Sequence, residues 1–103
     1  MIKIINMRSH EQLKLGIPII RVDRTSALGN PFYMANETQR DKVCDQYQEY
    51  FNKKVTEKTD KQFMDELRAI YKLAKTGDVY LACWCYPKRC HAETIKTFIE
   101  KYL

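Results

Sequence analysis

Cys83, Cys85, Cys90 and His91 lie together in Val79–His91, which reads Val-Tyr-Leu-Ala-Cys-Trp-Cys-Tyr-Pro-Lys-Arg-Cys-His. Three of the four cysteines and one of the two histidines of the chain therefore fall in one short stretch. Thiols and an imidazole at this spacing suit proton transfer, nucleophilic attack or metal ligation. Residues 79–85 are an apolar, β-favouring run, so alternation predicts that Cys83 and Cys85 share one face and Trp84 the other. Cys90 and His91 open a helix, where unpaired N–H groups and the helix dipole favour anions and thiolates. Cys90 is accordingly predicted to be the most acidic thiol, below the ordinary value of about 8.5. Lys88 and Arg89 precede that helix end and could help it hold a phosphate or carboxylate.

Three readings of the cluster stand side by side. In the first, Cys83 and Cys85 are packing residues and His91 a polar helix-start residue. In the second, Cys83, Cys85, Cys90 and His91 are zinc ligands, although structural zinc usually takes Cys-x2-Cys on a turn. In the third, Cys90 or His91 faces a polar substrate in a pocket.

A second group of charged residues supports the pocket. Arg21, Asp23 and Arg24 alternate at a strand end, before the turn-rich Ser26-Ala-Leu-Gly-Asn30-Pro-Phe. Alternation puts Arg21 and Asp23 on one face, where a carboxylate beside guanidiniums stays ionised and can accept from a hydroxyl. One guanidinium would then be left for phosphate, unless the charges serve only as an internal ion pair that pins the loop, with Asn30 and Pro31 as mere turn residues.

The elements that must position these residues can be read from periodicity. Ile2 to Met7 reads as a buried strand, Glu11 to Leu15 as one helical turn or a loop, and Pro18 to Val22 as a second strand opening at its proline. Asp23 to Asn36 is an aperiodic loop, long enough to suggest a functional one. Val43, Cys44, Tyr47, Tyr50 and Phe51 recur at helical spacing from Glu37 to about Lys54, with Cys44 on the buried stripe. Phe63, Leu67, Ile70, Tyr71 and Ala74 mark a second helix stopping before Gly77, and Ile95, Phe98, Ile99 and Leu103 a third from about His91. The order strand, strand, helix, helix, strand, helix predicts a small single α/β domain spanning 1–103, its short, mostly parallel sheet flanked by helices. In such sheets ligands sit beyond the carboxyl ends of strands, so the 23–36 and 86–90 loops are expected to meet and line one pocket.

Composition sets outer limits. The chain has 103 residues, 45% hydrophobic and 30% charged, enough for one core. Eighteen Lys and Arg against thirteen Asp and Glu leave +5, favouring anionic ligands without marking a nucleic-acid-coating tail. No apolar run approaches the roughly 18 residues of a membrane span, and no signal-peptide layout opens the chain, so a cytoplasmic address with reduced cysteines is expected.

Val22-Asp23-Arg-Thr-Ser-Ala-Leu-Gly-Asn-Pro-Phe32 and Leu81-Ala-Cys-Trp-Cys-Tyr-Pro-Lys-Arg-Cys-His91 together resemble the family called domain of unknown function 4326. The family pattern pairs an Ile-Asp-Arg-x-Ser-x-Leu-Gly-Asn-Pro-Phe block with a Cys-Trp-Cys-x-Pro block ending Cys-His-Gly-Asp, and covers nearly the whole chain. Ala27 stands where proline is usual, and Ala92-Glu93 where Gly-Asp is usual, so the acidic position is kept on a longer arm. The second block is more loosely similar to another uncharacterised α/β family with Cys-x-Glu before a Cys-His-Arg helix start, where Cys85 replaces the glutamate. The resemblance implies a bacteriophage or mobile-element setting and brings no established activity.

The expectation is a pocket for a nucleotide, nucleoside or other phosphorylated small molecule, which the protein hydrolyses, transfers or sequesters. Asp23, Cys90, His91 and Glu93 are the candidate catalytic groups; Arg21, Arg24, Ser26, Asn30, Lys88 and Arg89 are the candidate ligand contacts. Nucleotide metabolism or action against a nucleotide-based host defence would use such a pocket. The alternative is a zinc-stabilised module binding nucleic acid or a host protein, with Cys83, Cys85, Cys90 and His91 on the metal.

Overall fold

The computed structural model describes residues 1–8 and 16–103. The segment Glu11 to Leu15 lies outside them. Strands β1 (Ile2–Asn6), β2 (Ile19–Arg21) and β3 (Val79–Cys83) form one sheet of order β1-β3-β2. Both pairings are parallel, with Ile2 opposite Val79 and Ile19 opposite Tyr80. A parallel centre strand is covered on both faces, and every residue of β3 is buried. The α/β fold with a parallel sheet is the one the element order predicts.

The described residues also hold three α-helices: α1 (Arg40–Glu57), entered through a 3-10 turn at Glu37–Gln39, α2 (Lys61–Thr76) and α3 (Ala92–Glu100). Asn36 caps the 3-10 turn, its side chain accepting from the Thr38 N–H at 3.0 Å. Lys58 turns the chain with a left-handed φ of 57°, and Asp60 caps α2 by accepting from the Phe63 N–H at 3.1 Å. Val43, Tyr47 and Phe51 of α1 recur at spacings of four, as the sequence pattern requires of one buried face. Tyr47 and Phe51, with Phe63, Leu67 and Ile70 of α2 and Ala92, Ile95 and Ile99 of α3, close one core with Ile2, Val79, Leu81 and Cys83. The other face of the sheet carries a smaller cluster, Ile5, Tyr80 and Ala82. No helix among the described residues is long and apolar enough to cross a membrane.

One boundary differs from the sequence expectation in a way that matters for the site. The strand predicted through Cys85 stops at Cys83. Its last ladder bond is from the Met7 N–H to the Cys83 carbonyl at 2.8 Å. Beyond that point the Asn6 side-chain amide donates to the carbonyls of Trp84 (3.2 Å) and Tyr86 (2.7 Å), replacing a neighbouring strand with a side-chain clamp. Trp84 and Cys85 thus belong to a loop, and strand alternation no longer sets their directions.

The loop after β2 is folded as tightly. Ser26 N–H donates to the Asp23 carbonyl at 3.0 Å and Gly29 N–H to the Ser26 carbonyl at 3.1 Å. Glu66 of α2 reaches up to accept from the Ala27 N–H at 2.9 Å, and the Tyr47 hydroxyl donates to the Leu28 carbonyl at 2.7 Å. Gly29 passes so close to its own loop that a Cβ there would lie 2.4 Å from the Asp23 carbonyl oxygen and 2.7 Å from the Arg24 Cα. Both obstacles are backbone and cannot rotate aside. Gly29→Ala should therefore destabilise the protein by about 1–3 kcal/mol, the usual cost of forcing extra volume into packed structure. Urea unfolding with unchanged m-value would read this out; wild-type stability would contradict the close packing.

Candidate functional site

The two loops leave the same edge of the parallel sheet and wall one cavity of about 430 Å³. Seven residues between Arg21 and Met34 line one side and five between Trp84 and His91 the other, with Arg40, Val43 and Cys44 of α1 as the floor. Asp23 is the joint between the loops. It is 6% exposed. One carboxylate oxygen accepts from the Thr25 N–H (3.1 Å) and hydroxyl (2.5 Å). The other accepts from Arg21 at 2.5 and 3.2 Å and from the Trp84 indole N–H at 3.0 Å. Burial pushes its pKa up, but the donors from Thr25, Arg21 and Trp84 outweigh it and hold the group far below the carboxylate range. A carboxylate so saturated is an anchor and has no lone pair directed at a proton to abstract.

His91 is 8% exposed and lies at the cavity wall, its ring edge-on to Tyr47 at 5.0 Å between centroids. Its Nε2 hydrogen-bonds the Val22 carbonyl. A carbonyl can only accept, so Nε2 carries the proton and Nδ1 of the neutral ring is the free acceptor. Nδ1 has no hydrogen-bond partner among the described residues, and His91 is one of the residues that line the cavity. Burial lowers the His91 pKa, with the Arg24 charge in the same direction and the Val22 carbonyl and Asp23 opposing.

The cysteines are arranged otherwise than strand alternation predicts. Cys83 Sγ lies 3.2 Å from Cys90 Sγ, with both residues buried. Cys85 is partly exposed and lies against the Arg40 guanidinium in the cavity wall. The expected acidity of Cys90 is reversed. The Cys83 sulfur beside it and its own burial push the Cys90 thiol up, while Cys83 is pulled down by the Cys90 thiol and by the backbone N–H groups of Tyr86 and Cys85. The Ala92 N–H at the helix start does support a Cys90 thiolate, but the neighbouring Cys83 sulfur and burial outweigh it, and the Cys90 N–H itself donates to the Glu93 carboxylate at 3.0 Å. Among the described residues no group of three or more His, Cys, Asp or Glu side chains is placed to hold a metal ion. The zinc set is not assembled: Cys83 and Cys90 are together, but His91 is engaged with Val22 and Cys85 with Arg40.

Of the other residues singled out from sequence, Arg21, Arg24, Asn30 and Arg89 line the cavity, while Ser26, Lys88 and Glu93 do not. The Ser26 hydroxyl accepts from the Leu28 N–H at 3.1 Å, and Lys88 pairs with Glu37 at 3.3 Å. Glu93 lines a smaller cavity of about 200 Å³ on the far side of a wall formed by Cys44, Arg89 and Cys90. Sequence reasoning missed Arg40, whose guanidinium grips Glu37 at 2.8 and 2.9 Å and the Arg89 carbonyl at 2.9 Å. It also missed the cavity-lining role of Phe32, Met34 and Val43. Cys44 is buried as expected, yet its other side is cavity wall, where its thiol donates to the Arg89 carbonyl at 3.7 Å.

A family model described as domain of unknown function (DUF4326) matches residues 5–101 of the 103. The chain belongs to that family. The match begins one residue before Asn6, the clamp on the Trp84–Tyr86 loop, and includes both cavity-forming loops. Neither a curated protein nor a solved structure matches the chain.

The His91 geometry fixes a pH dependence. Its folded pKa lies below the unfolded value of 6.5, so the stability it contributes is complete above 6.5 and is lost as pH falls through the folded value. NMR titration should show the His91 ring with the proton on Nε2 and a midpoint below 6.5, with stability declining across the same acidic window. A midpoint above 6.5 would contradict a neutral, Val22-bound ring.

Proposed function

We propose that the cavity binds a phosphorylated, nucleotide-like small molecule. One observation carries this reading. Three of the arginines around the cavity are matched by carboxylates, Arg21 by Asp23, Arg40 by Glu37, and Arg89 by Asp41 and Asp45. Arg24 instead meets only neutral groups among the described residues: the Phe32 carbonyl at 3.1 Å and the Tyr33 ring, 5.9 Å from its centroid. No carboxylate among the described residues is paired with it, and it lines the cavity together with His91. A phosphate on Arg24 would restore neutrality, and guanidinium geometry suits it.

The rest of the lining supports the same ligand class. Trp84 and Phe32 offer aromatic surface for a base, and Asn30, Cys85 and His91 add polar edges. The volume falls within the range of about 300–1,000 Å³ usual for small-molecule sites. His91 Nδ1 is the group best suited to accept a proton, so turnover would be hydrolysis or transfer at a glycosidic or phosphate bond, with Asp23 and Arg21 as fixed neighbouring charges. Without turnover the same cavity sequesters its ligand. A cytoplasmic phage-encoded protein acting on nucleotide pools or against a nucleotide-based host defence would use either outcome.

Calorimetry with paired nucleosides and nucleotides tests the reading, followed by chromatography of the mixtures. At least one nucleotide should bind more tightly than its nucleoside, and Arg24→Ala should weaken that binding roughly tenfold to a hundredfold, the value of a charge-assisted hydrogen bond of about 1.5–3 kcal/mol. Equal affinity for nucleoside and nucleotide, or an indifferent Arg24→Ala variant, would remove the phosphate from the reading. Release of free base, abolished in His91→Gln, would mark turnover.

A further inference from the structure

We propose that Cys83 and Cys90 form a reversible thiol–disulfide couple, oxidised by a hydroperoxide. The two sulfurs are 3.2 Å apart, one at the end of the central strand and the other at the residue before His91 and α3. A disulfide needs about 2.05 Å, so the approach required is about 1 Å. Pairing is selective, because the other two thiols are turned elsewhere: Cys44 donates to the Arg89 carbonyl and Cys85 faces Arg40. Neither sulfur of the pair has a part in the ligand reading above, and the couple does not depend on it.

The roles within the pair follow from access. Cys90 lines both the main cavity and the smaller one behind it, whereas Cys83 is 1% exposed within the core. A small oxidant entering either cavity therefore meets Cys90 first. With hydrogen peroxide, the Cys90 sulfur attacks one oxygen, the O–O bond breaks, and the thiol proton leaves with the other oxygen as water. Cys90 is then a sulfenic acid. The Cys83 sulfur attacks the Cys90 sulfur, the S–O bond breaks, and the hydroxyl leaves with the Cys83 proton as a second water. Two thiols lose two electrons and one peroxide is reduced. Cys83 suits the second step, because the backbone N–H groups of Cys85 and Tyr86 support its thiolate.

The test is peptide mapping of folded wild type and Cys85→Ser after brief exposure to hydrogen peroxide and quenching of free thiols. Trypsin cuts after Lys75, Lys88, Arg89 and Lys96, placing Cys83 and Cys90 on separate peptides. The expected product is the Thr76–Lys88 peptide joined to Cys90–Lys96, lighter by two hydrogens and separated by dithiothreitol. It should form in both proteins, at least tenfold faster than in chains unfolded in guanidinium. Because Cys85→Ser leaves the pair intact, linkage there assigns the bond to Cys83. Linkage lost in Cys85→Ser, sulfinic acid at Cys90 with free Cys83, or thiols that react only after unfolding would each overturn the proposal.

Discussion

A single buried carboxylate holds the cavity together. Asp23 stands where β2 releases the chain, and its two oxygens collect donors from β2, from its own loop and from the loop after β3. An isolated carboxylate at that depth would be strongly disfavoured, and satisfying its lone pairs is what makes the position tolerable. The indole N–H of Trp84 is the decisive donor, since it comes from another part of the chain. Through it, two loops far apart in sequence are kept in register. Asn6 does the matching work from the other side, holding the Trp84 and Tyr86 carbonyls where the sheet ends.

Charge around the cavity is divided between holding and receiving. Arg89 is gripped by Asp41 and Asp45 of α1, and Arg40 by Glu37, so these guanidiniums lace α1 to the loop before α3. Such pairs on an exposed rim contribute little stability individually, but they fix the direction of the backbone they flank. Among the described residues Arg24 is held by neutral partners, the Phe32 carbonyl and the Tyr33 ring. His91 is the uncharged counterpart, with one nitrogen bound to Val22 and the other without a partner among the described residues.

The fold was legible because its signals were periodic. Apolar runs at Ile2 and Val79 and helical stripes through Tyr47, Phe63 and Ile95 each have one structural solution, and a parallel sheet then brings both loops to one edge. Arg21, Asp23, Arg24 and His91 were found because charged or titratable residues at strand ends are conspicuous. What could not be read was direction after a strand ends. Alternation paired Cys83 with Cys85 only while the strand continued, and a side-chain amide from β1 ended it two residues early. Arg40 and Glu66 carry no local mark in a helical pattern, since any exposed helix position accepts them. The acidity expected of Cys90 failed for a similar reason: position at a helix start is visible in sequence, whereas burial and a second sulfur packed against it belong to the folded structure.

The strand order has a consequence for how the molecule comes into being. β1 and β2 are made early but never touch each other as sheet neighbours; each pairs only with β3, which follows both long helices. Until residues 79–83 are in place neither early strand has a partner, so sheet formation must close long loops in a late step. Such non-local pairing is slow to nucleate and leaves apolar edges waiting. During synthesis the two long helices can form first, while the two loops that build the cavity acquire their shape together, after β3 arrives.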